Sequence, residues 1–412
     1  MSRTLASGLT IDRRLEALLL RRTAANARFF DMEADRIARL CHRMAERFAR
    51  GGRLIALGRS PQARSDARHV AVEFVHPVIV GKRALPAIAL APEGGPLRRQ
   101  LELVAEPDDI AIAFGSETDD DAETGEALAA ARARGCLTIA FPDRRADWSF
   151  DPLAGRDRFI RQELTETLYH VLWELVHVFF EHRGLLAGRE TGTTHDPGAS
   201  AFLYPFLAEG EDDLVRVLDD VRRSVLMKAD DIGALRERTL TEGREPIAAA
   251  ARTLRSRFEA GGQLLAFGNG GSATDAMDAV ADFRAPAAGG PGRRALDLTE
   301  DASILTAIGN DIGTDAIFAR QVIAYARDRD VVLAFSTSGN SRNVIEALRE
   351  ARRRGVRSIA IVGYGGGRVL EEGLADHVIV APSDHIPRIQ EAQASVYHVL
   401  REMVERVGPE GG

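Results

Sequence analysis

The feature of this sequence that most constrains its fold is an internal repeat. Three segments of the first half recur in the same order in the second half, each with a similar pattern of residues. The pairs are residues 47–58 with 257–268, 109–114 with 330–335, and 161–172 with 389–400. Self-similarity over such distances is typical of a repeated structural unit. We therefore interpret the chain as a tandem duplication of one domain.

Each copy alternates short apolar runs with stretches of helical length, which predicts an α/β fold. The first copy opens with helical segments around residues 12–25 and 32–49. Its later elements are predicted strands at 53–57, 87–91, 110–114 and 137–141, and helices at 65–74, 122–134 and 159–182. The second copy begins with helices from residue 214 and closes with a helix at about 386–407.

Length and composition agree with two domains. The chain has 412 residues, of which 45% are hydrophobic, enough for two cores of ordinary size. Turn-forming residues at 191–198 interrupt the pattern of helices and strands. We therefore predict domains at residues 1–185 and 213–412, joined by a linker at 186–212.

Charge and cysteine content narrow the class of protein. A net charge of -7, without a basic stripe that includes aromatic residues, argues against nucleic-acid binding. Two cysteines, Cys41 and Cys136, make no disulfide framework and fit a reducing compartment. We find no signal peptide and no apolar run of membrane length, so we expect a cytoplasmic protein that does not bind membranes.

A glycine-rich turn follows the first apolar run of the second copy. Residues 263–266 lead into Phe-Gly-Asn-Gly-Gly-Ser at 267–272, and a helical stretch begins near Asp275. Glycine lets the backbone reverse with positive φ, and a helix start offers unpaired N–H groups to an anion. The turn is compatible with a phosphate site, and taken by itself it is equally compatible with a plain βα turn.

A second loop, rich in hydroxyl groups, follows the apolar run at residues 331–335. Its sequence is Ser-Thr-Ser-Gly-Asn-Ser at 336–341, and a helical stretch follows from Val344. Hydroxyl and backbone N–H groups bind phosphate without Lys or Arg. In parallel α/β sheets such loops lie at the same edge, where ligands bind. An ordinary Ser/Thr helix cap is the alternative, but two such loops in one domain favour a phosphate site.

Four motifs in this copy resemble those of the phosphoheptose isomerases, a family of the sugar isomerase (SIS) domain superfamily. They are Gly-Asn-Gly-Gly-Ser at 268–272, Gly-Asn-Asp at 309–311, the hydroxyl-rich loop, and Arg-Ile-Gln-Glu followed by His at 388–398. The resemblance spans about residues 214–407. It implies two tandem SIS domains, each a parallel sheet flanked by helices in a Rossmann-like three-layer sandwich. It also implies interconversion of sedoheptulose 7-phosphate and an aldoheptose 7-phosphate.

The resemblance implies a role for particular residues of the second copy. The phosphate would be anchored by Asn269, Gly270, Ser272, Ser336, Thr337, Ser338 and Ser341. Asp311 would contact the sugar, and Gln390 belongs to the same substrate-binding set. The resemblance further implies a phosphorylated sugar as the ligand, zinc as a cofactor, and a homodimer that contains four SIS domains.

In the family that this chain resembles, four side chains hold zinc and move the proton. They are a His and a Glu one helical turn apart, and a Gln and a His on the last helix. The first copy matches all four positions with His69, Glu73, Gln162 and His170. His nitrogen and carboxylate oxygen are ordinary zinc ligands. The second copy keeps Gln390 and His398 but has Asp278 and Asp282 in place of the other two.

Structural explanations of this set stay open. His170 lies in an apolar helical stretch, where a histidine is more often part of the core. His177 shares its helix face and is a rival ligand. His69 and Glu73 taken alone are an ordinary i,i+4 pair. The agreement of all four positions favours a site, whether it is functional or a remnant.

The first copy differs from the second at both loops. Gly-Arg-Ser-Pro-Gln-Ala at 58–63 replaces the glycine loop, and an acidic stretch at 115–121 replaces the hydroxyl-rich loop. Because acidic side chains repel phosphate, we predict that the first copy does not bind phosphate there. The acidic residues are also compatible with a role in stabilising the helix dipole.

These observations lead to a hypothesis of divided labour between the copies. The second copy would bind the phosphate, and the proton would move between C1 and C2 of an open-chain sugar through an enediol. The catalytic candidates are Glu73, His170, Asp282 and His398. The alternative is a non-catalytic SIS protein that binds a phosphosugar or a partner protein in a regulatory role. A different isomerase or lyase substrate is a third hypothesis, since phosphate loops do not read the sugar.

Overall fold

A computed structural model describes most of the chain. The described residues are 2–78, 82–115, 122–142, 146–151, 157–181, 186, 213–285 and 291–405. At residues 2–12 and 181 only the backbone is described. The predicted turn at 191–198 and nearly all of the predicted linker lie outside them, as does most of the acidic stretch at 115–121. The predicted domain boundaries therefore stay a prediction.

Within the described residues, each half of the chain contains five strands and a set of helices. The strands are β1 (Leu54–Leu57), β2 (Ala87–Leu90), β3 (Ile110–Phe114), β4 (Leu137–Phe141), β5 (Trp148–Ser149), β6 (Leu264–Phe267), β7 (Ala295–Asp297), β8 (Val331–Ser336), β9 (Arg357–Gly363) and β10 (His377–Ala381). The helices of the first half are α1 (Ser2–Ala49), α2 (Pro61–Val75), α3 (Leu97–Val104), α4 (Ala122–Ala133) and α5 (Arg158–Glu181). Those of the second half are α6 (Leu214–Glu242), α7 (Arg244–Glu259), α8 (Gly271–Arg284), α9 (Ala302–Asp311), α10 (Ile317–Tyr325), α11 (Arg342–Arg353), α12 (Gly367–Glu371) and α13 (Ile386–Val404).

The ten strands form two parallel sheets with the same topology. Their orders are β2-β1-β3-β4-β5 and β10-β9-β8-β6-β7. When the strands of each sheet are numbered from its own first strand, both orders read 2-1-3-4-5, in opposite directions. The predicted fold class, two α/β domains each with a parallel sheet flanked by helices, is confirmed.

The chain forms two compact units. The first unit comprises residues 25–231, and the second comprises residues 232–412 together with 1–24. The two long helices α1 and α6 each contribute to both units. Among the described residues, none of the helices combines the length and the apolar character that crossing a bilayer requires.

Both faces of each central strand are buried, as expected for a parallel sheet covered by helices. In β1, Leu54 and Ala56 join a core cluster with residues of α2 and α5, whereas Ile55 and Leu57 join the cluster of α3 and α4. The period of two follows from the alternating direction of strand side chains. The second unit repeats this arrangement. Alternate residues of β6 face α8 and α13, and the residues between them face α10 and α11.

The first helix differs from its prediction. The two segments expected around residues 12–25 and 32–49 form one continuous helix, α1. Residues 26–31 contain no proline or glycine that would break it. Phe29 and Phe30 are buried there, and the Asn26 amide donates a 2.8 Å hydrogen bond to the carbonyl oxygen of Ala229. Packing of this stretch explains why the helix continues.

A glycine before the first strand of each unit gives a test of the repeated geometry. A Cβ atom at Gly262 would overlap the carbonyl oxygen of Arg329, and one at Gly52 would overlap that of Asp108. We expect Gly262→Ala to lower the free energy of unfolding by about 1–3 kcal/mol, the usual cost of overpacking. Denaturant unfolding would measure it. Gly125→Ala is the control because its Cβ meets open space within α4, and an unchanged midpoint for Gly262→Ala would contradict the prediction.

Candidate functional site

The two predicted phosphate loops lie side by side at one edge of the second sheet. Strands β6 and β8 pair in parallel, with Leu264 opposite Val331 and Phe267 opposite Ala334. The chain leaves β6 for β7 on one side and returns to β8 on the other. The two loops therefore follow the strands at a topological switch point, where ligands of open α/β sheets bind.

The glycine loop presents the start of α8 without a side-chain cap. Gly270 has φ 57° and ψ −125°, a conformation that disfavours residues with a side chain, and no side-chain oxygen caps the helix. Ser272 is 4% exposed in the first turn, whereas Asn269 and Gly270 are exposed. The N–H groups of Ser272 and Ala273 already donate to the carbonyl oxygens of Asn269 and Gly270. The positive end of the helix dipole lies at the sheet edge, which suits an anion.

Hydroxyl groups organise the second loop. The Ser336 hydroxyl accepts a 3.1 Å hydrogen bond from the Gly339 N–H and lies 3.3 Å from the Ser341 hydroxyl. The Ser338 hydroxyl accepts a 3.2 Å bond from the Asn340 N–H. Thr337 and Ser338 are half-buried. The loop therefore has a defined conformation that holds several donors near the start of α11.

Two asparagine side chains join the loops. The Asn269 amide donates to Asn343 Oδ1 and the Asn343 amide donates to Asn269 Oδ1, both at 2.9 Å. Asn343 Oδ1 also accepts a 2.9 Å bond from the N–H of Val344. Asn343 was not among the predicted site residues, although its place two residues after Ser341 puts it in the first turn of α11.

The other residues predicted to bind substrate lie elsewhere in the second unit. Asp311 is exposed at the end of α9, where its carboxylate accepts a 2.7 Å bond from the Asn310 amide. Gln390 is 2% exposed on α13, eight residues before His398. The loops thus come together in space, and Asp311 and Gln390 belong to separate helices of the same unit.

A buried acid–base pair joins α8 to α13. His398 Nε2 lies 3.3 Å from Asp282 Oδ2, and both side chains are almost fully buried. The Arg401 side chain donates a 2.8 Å bond to the backbone carbonyl of Asp282. Asp278 lies one helical turn earlier on α8 and is 5% exposed. Asp282 lies ten residues after Ser272 on the same helix, an axial distance of about 15 Å from the phosphate loop.

The first unit contains a second buried cluster, between α2 and α5. His69 Nε2 lies 3.3 Å from His170 Nε2 and 3.7 Å from Glu73 Oε1. The Tyr169 hydroxyl lies 2.9 Å from His69 Nδ1. Burial, with a smaller contribution from His170, holds the pKa of His69 well below its usual value. His69 is therefore neutral near pH 7, the state in which imidazole binds metals.

Two further residues of α5 complete this cluster. Gln162 is 9% exposed and Glu166 is 3% exposed, and with His170 they recur at every fourth position. Ligand atoms of His69, Glu166 and His170 all lie within 4.8 Å of one another. All four predicted metal residues thus lie on α2 and α5, the two helices that pack against each other here. Glu166 was not among the predicted residues, although it lies midway between Gln162 and His170.

The rival ligand, His177, faces a different environment. Its Nδ1 lies 2.8 Å from the carbonyl oxygen of Trp173 and its Nε2 lies 3.0 Å from that of Arg83. Both ring nitrogens are therefore in hydrogen-bond contact with backbone carbonyls. This arrangement favours a structural role for His177 and leaves the cluster at His170 as the candidate site.

At the start of α2 the first unit lacks the features of a phosphate loop. The Ser60 hydroxyl accepts a 3.2 Å bond from the N–H of Ala63, and Pro61 begins the helix. The Arg59 side chain lies 3.2 Å from the carboxylate of Glu123. A side-chain cap thus occupies the position at which we predict an anion in the second unit, and the prediction that this copy does not bind phosphate there stays a prediction.

Comparisons with known proteins place the similarity in the second half of the chain. A family model described as "SIS domain" matches residues 229–363. A phosphoheptose isomerase of Solidesulfovibrio magneticus is 42% identical over 188 residues, 45% of this chain and 91% of the relative. One of Geobacter sulfurreducens is 44% identical over 194 residues, 46% of this chain and 98% of the relative.

Solved structures extend the similarity of fold to the whole chain. The C-terminal domain of glucosamine-fructose-6-phosphate aminotransferase from Francisella tularensis covers 94% of this chain and 93% of its own, with a TM-score of 0.60 and 11% identity. Tagatose-6-phosphate ketose/aldose isomerase from Escherichia coli covers 97% of this chain and 95% of its own, with a TM-score of 0.55 and 14% identity. At these identities the likeness concerns the fold alone.

The asparagine pair gives a prediction for the phosphate loops. Replacing Asn343 with Ala removes both bonds to Asn269 and leaves the glycine loop without its partner. We expect the affinity for inorganic phosphate, measured by calorimetry, to fall by about 5- to 30-fold, the equivalent of one or two hydrogen bonds. Glu346→Gln, which changes a partly exposed residue of the same helix, is the control. Equal affinities of Asn343→Ala and the unaltered chain would contradict this role.

Proposed function

Because this chain belongs to the phosphoheptose isomerase family of SIS domain proteins, with its similarity concentrated in the C-terminal half, we propose that it isomerises a phosphorylated sugar. The substrate that we propose is a heptose 7-phosphate, converted between its ketose form, sedoheptulose 7-phosphate, and the aldose. The observation that carries the proposal is the pair of joined loops at the switch point of the second sheet.

In the proposed complex the loops bind the phosphate group. The hydroxyls of Ser272, Ser336 and Ser341 and the N–H groups at the start of α8 and α11 would surround it. These donors are neutral, so helix dipoles and hydrogen bonds stabilise the anion rather than Lys or Arg. Thr337, Ser338, Asn269 and Gly270 complete this set, and Asp311 and Gln390 are proposed to contact the sugar.

The reaction needs a base to remove a proton from the carbon next to the carbonyl and an acid to serve the neighbouring oxygen. Asp282 with His398 is one proposed pair, because a carboxylate 3.3 Å from an imidazole can orient the ring and share its proton. Glu73 with His170 in the first unit is the other. Asp282 is one methylene shorter than the glutamate that the family motif has here. Because a shorter side chain can fail to reach the proton, a chain that binds a phosphosugar without turnover is the alternative.

The residues of the first unit fit the zinc ion that the family implies. Two imidazole nitrogens 3.3 Å apart, with buried carboxylates beside them, are a donor set that zinc prefers. The family motif assigns the ion to the positions of His69, Glu73, Gln162 and His170. A bound zinc ion would polarise a substrate oxygen if a coordination position stayed open, and would otherwise cross-link α2 to α5.

A turnover assay tests the proposal. Purified chain, with and without zinc, is given sedoheptulose 7-phosphate, and the aldoheptose phosphate is followed. We expect product, and we expect Asp282→Asn to lower kcat by about 100-fold or more, since general acid–base groups contribute at least that much. Glu346→Gln, an equal loss of charge at a partly exposed position, is the control.

The outcomes separate the hypotheses. Loss of turnover in Glu73→Gln and His170→Ala, but not in Asp282→Asn, would assign the chemistry to the first unit. Binding of the sugar phosphate by calorimetry without any product would favour the non-catalytic alternative. An absence of both binding and turnover would overturn the proposed function.

A further inference from the structure

A carboxylate outside the four matched positions lies within the cluster of the first unit. Helix α5 places Gln162, Glu166 and His170 at successive intervals of four residues, so all three lie on one helix face. Across from them α2 places His69 and Glu73 at the same interval. Glu166 is 3% exposed, so its carboxylate lies inside the unit and is not a solvated surface charge.

The distances in this cluster are those of a metal site. Two ligands of a tetrahedral zinc ion, each about 2.0–2.1 Å from the metal, lie about 3.3–3.4 Å apart. The Nε2 atoms of His69 and His170 lie 3.3 Å apart. A Glu166 oxygen lies within 4.8 Å of one ring nitrogen of each histidine, and Glu73 Oε1 lies 3.7 Å from His69 Nε2. Glu73 is not part of the group of three whose ligand atoms all lie within 4.8 Å of one another, so its side chain would have to move closer to share one ion with them.

The second unit shows that Glu166 is not part of the repeated pattern. Gln162 corresponds to Gln390 and His170 to His398, and the residue midway between the latter two is Ala394. The second unit thus keeps the glutamine and the histidine without this carboxylate. The extra carboxylate therefore occurs in the copy that has lost the phosphate loops.

We propose that Glu166, rather than Gln162, completes a closed metal site of two imidazoles and two carboxylates, formed by His69, Glu73, Glu166 and His170. This inference rests on the proposed function only in that the family implies a zinc-class cation. Two carboxylates balance the charge of a buried divalent cation, whereas Gln162 in place of Glu166 would leave one of its two positive charges uncompensated by the ligands. A site with four protein ligands and no open position is structural, so the metal would cross-link α2 to α5.

The assignment has a consequence for the chemistry. Glu73 and His170 are occupied as metal ligands and are not available for proton transfer. Proton transfer then belongs to Asp282 and His398, which lie in the unit that carries the phosphate loops. The first unit becomes a metal-stabilised scaffold of the same fold.

The test is a comparison of two variants on the same helix face. The full chain is stripped of metal, titrated with Zn²⁺, and its metal content is measured after dialysis. We expect Glu166→Ala to lose one equivalent of zinc, with an affinity lower by about 100-fold or more, since even second-shell partners contribute 10- to 100-fold. We expect Gln162→Ala to keep that equivalent. The reverse pattern would overturn the inference.

Two further readouts keep the test decisive. Glu166→Gln has nearly the same shape, so its loss of zinc with an unchanged circular dichroism spectrum would exclude a failure to fold. In the Co²⁺-loaded chain, the visible absorption of a four-coordinate ion should be present in Gln162→Ala and lost in Glu166→Gln. Zinc should raise the unfolding temperature of the unaltered chain and leave that of Glu166→Gln unchanged.

Failure of this inference can be told apart from failure of the proposed function. Zinc retained at full affinity by Glu166→Gln, or no zinc bound by the unaltered chain, overturns the inference whether or not the chain is an isomerase. Absence of turnover in a chain whose metal content follows the expected pattern counts against the proposed function alone.

Discussion

The pairing of β6 with β8 is the interaction on which the proposed phosphate site depends. These strands are neighbours in space although β7 lies between them in sequence, so their following loops emerge together at one edge. Each loop then starts a helix, and the two helix starts present their N–H groups to the same region. The reciprocal bonds of Asn269 and Asn343 fix the spacing of the loops. An anion site of this kind needs no basic residue, and the sheet order supplies its geometry.

Local patterns made the fold and the loops predictable. The apolar runs that we interpreted as strands agree to within a residue with β1 to β4, β6 and β8, and β4 was predicted with its observed bounds, whereas β9 and β10 were not predicted. The internal repeat indicated that both halves share a topology, which the two 2-1-3-4-5 sheets confirm. The glycine and hydroxyl motifs act within a few residues of sequence, so their conformation follows from local chemistry. The resemblance that they indicated is confirmed by the relatives of the second half.

What the sequence did not predict depends on contacts between distant elements. Glu166 on α5 looks like any charged residue of a long helix until α2 brings His69 beside it. The role of Asn343 requires Asn269, which lies on another loop of the sheet edge. The continuity of α1 required knowledge that Phe29 and Phe30 are buried. In each case the deciding partner is separated in sequence, and residue type and spacing carry no information about it.

The two copies differ at their loops, and in the buried set of the first unit they share only a glutamine and a histidine of the last helix, Gln162 with Gln390 and His170 with His398. Surface loops tolerate substitutions because their polar groups can hydrogen-bond to water. Accordingly, the first unit has a helix start capped by its own serine where the second unit has its glycine loop. The residues between α2 and α5 are almost fully buried. Replacing one member of such a set leaves the others in a low-dielectric interior without compensation, which costs several kcal/mol. A buried polar set can therefore persist in a copy that lacks the ligand loops. A bound structural metal would stabilise this set further.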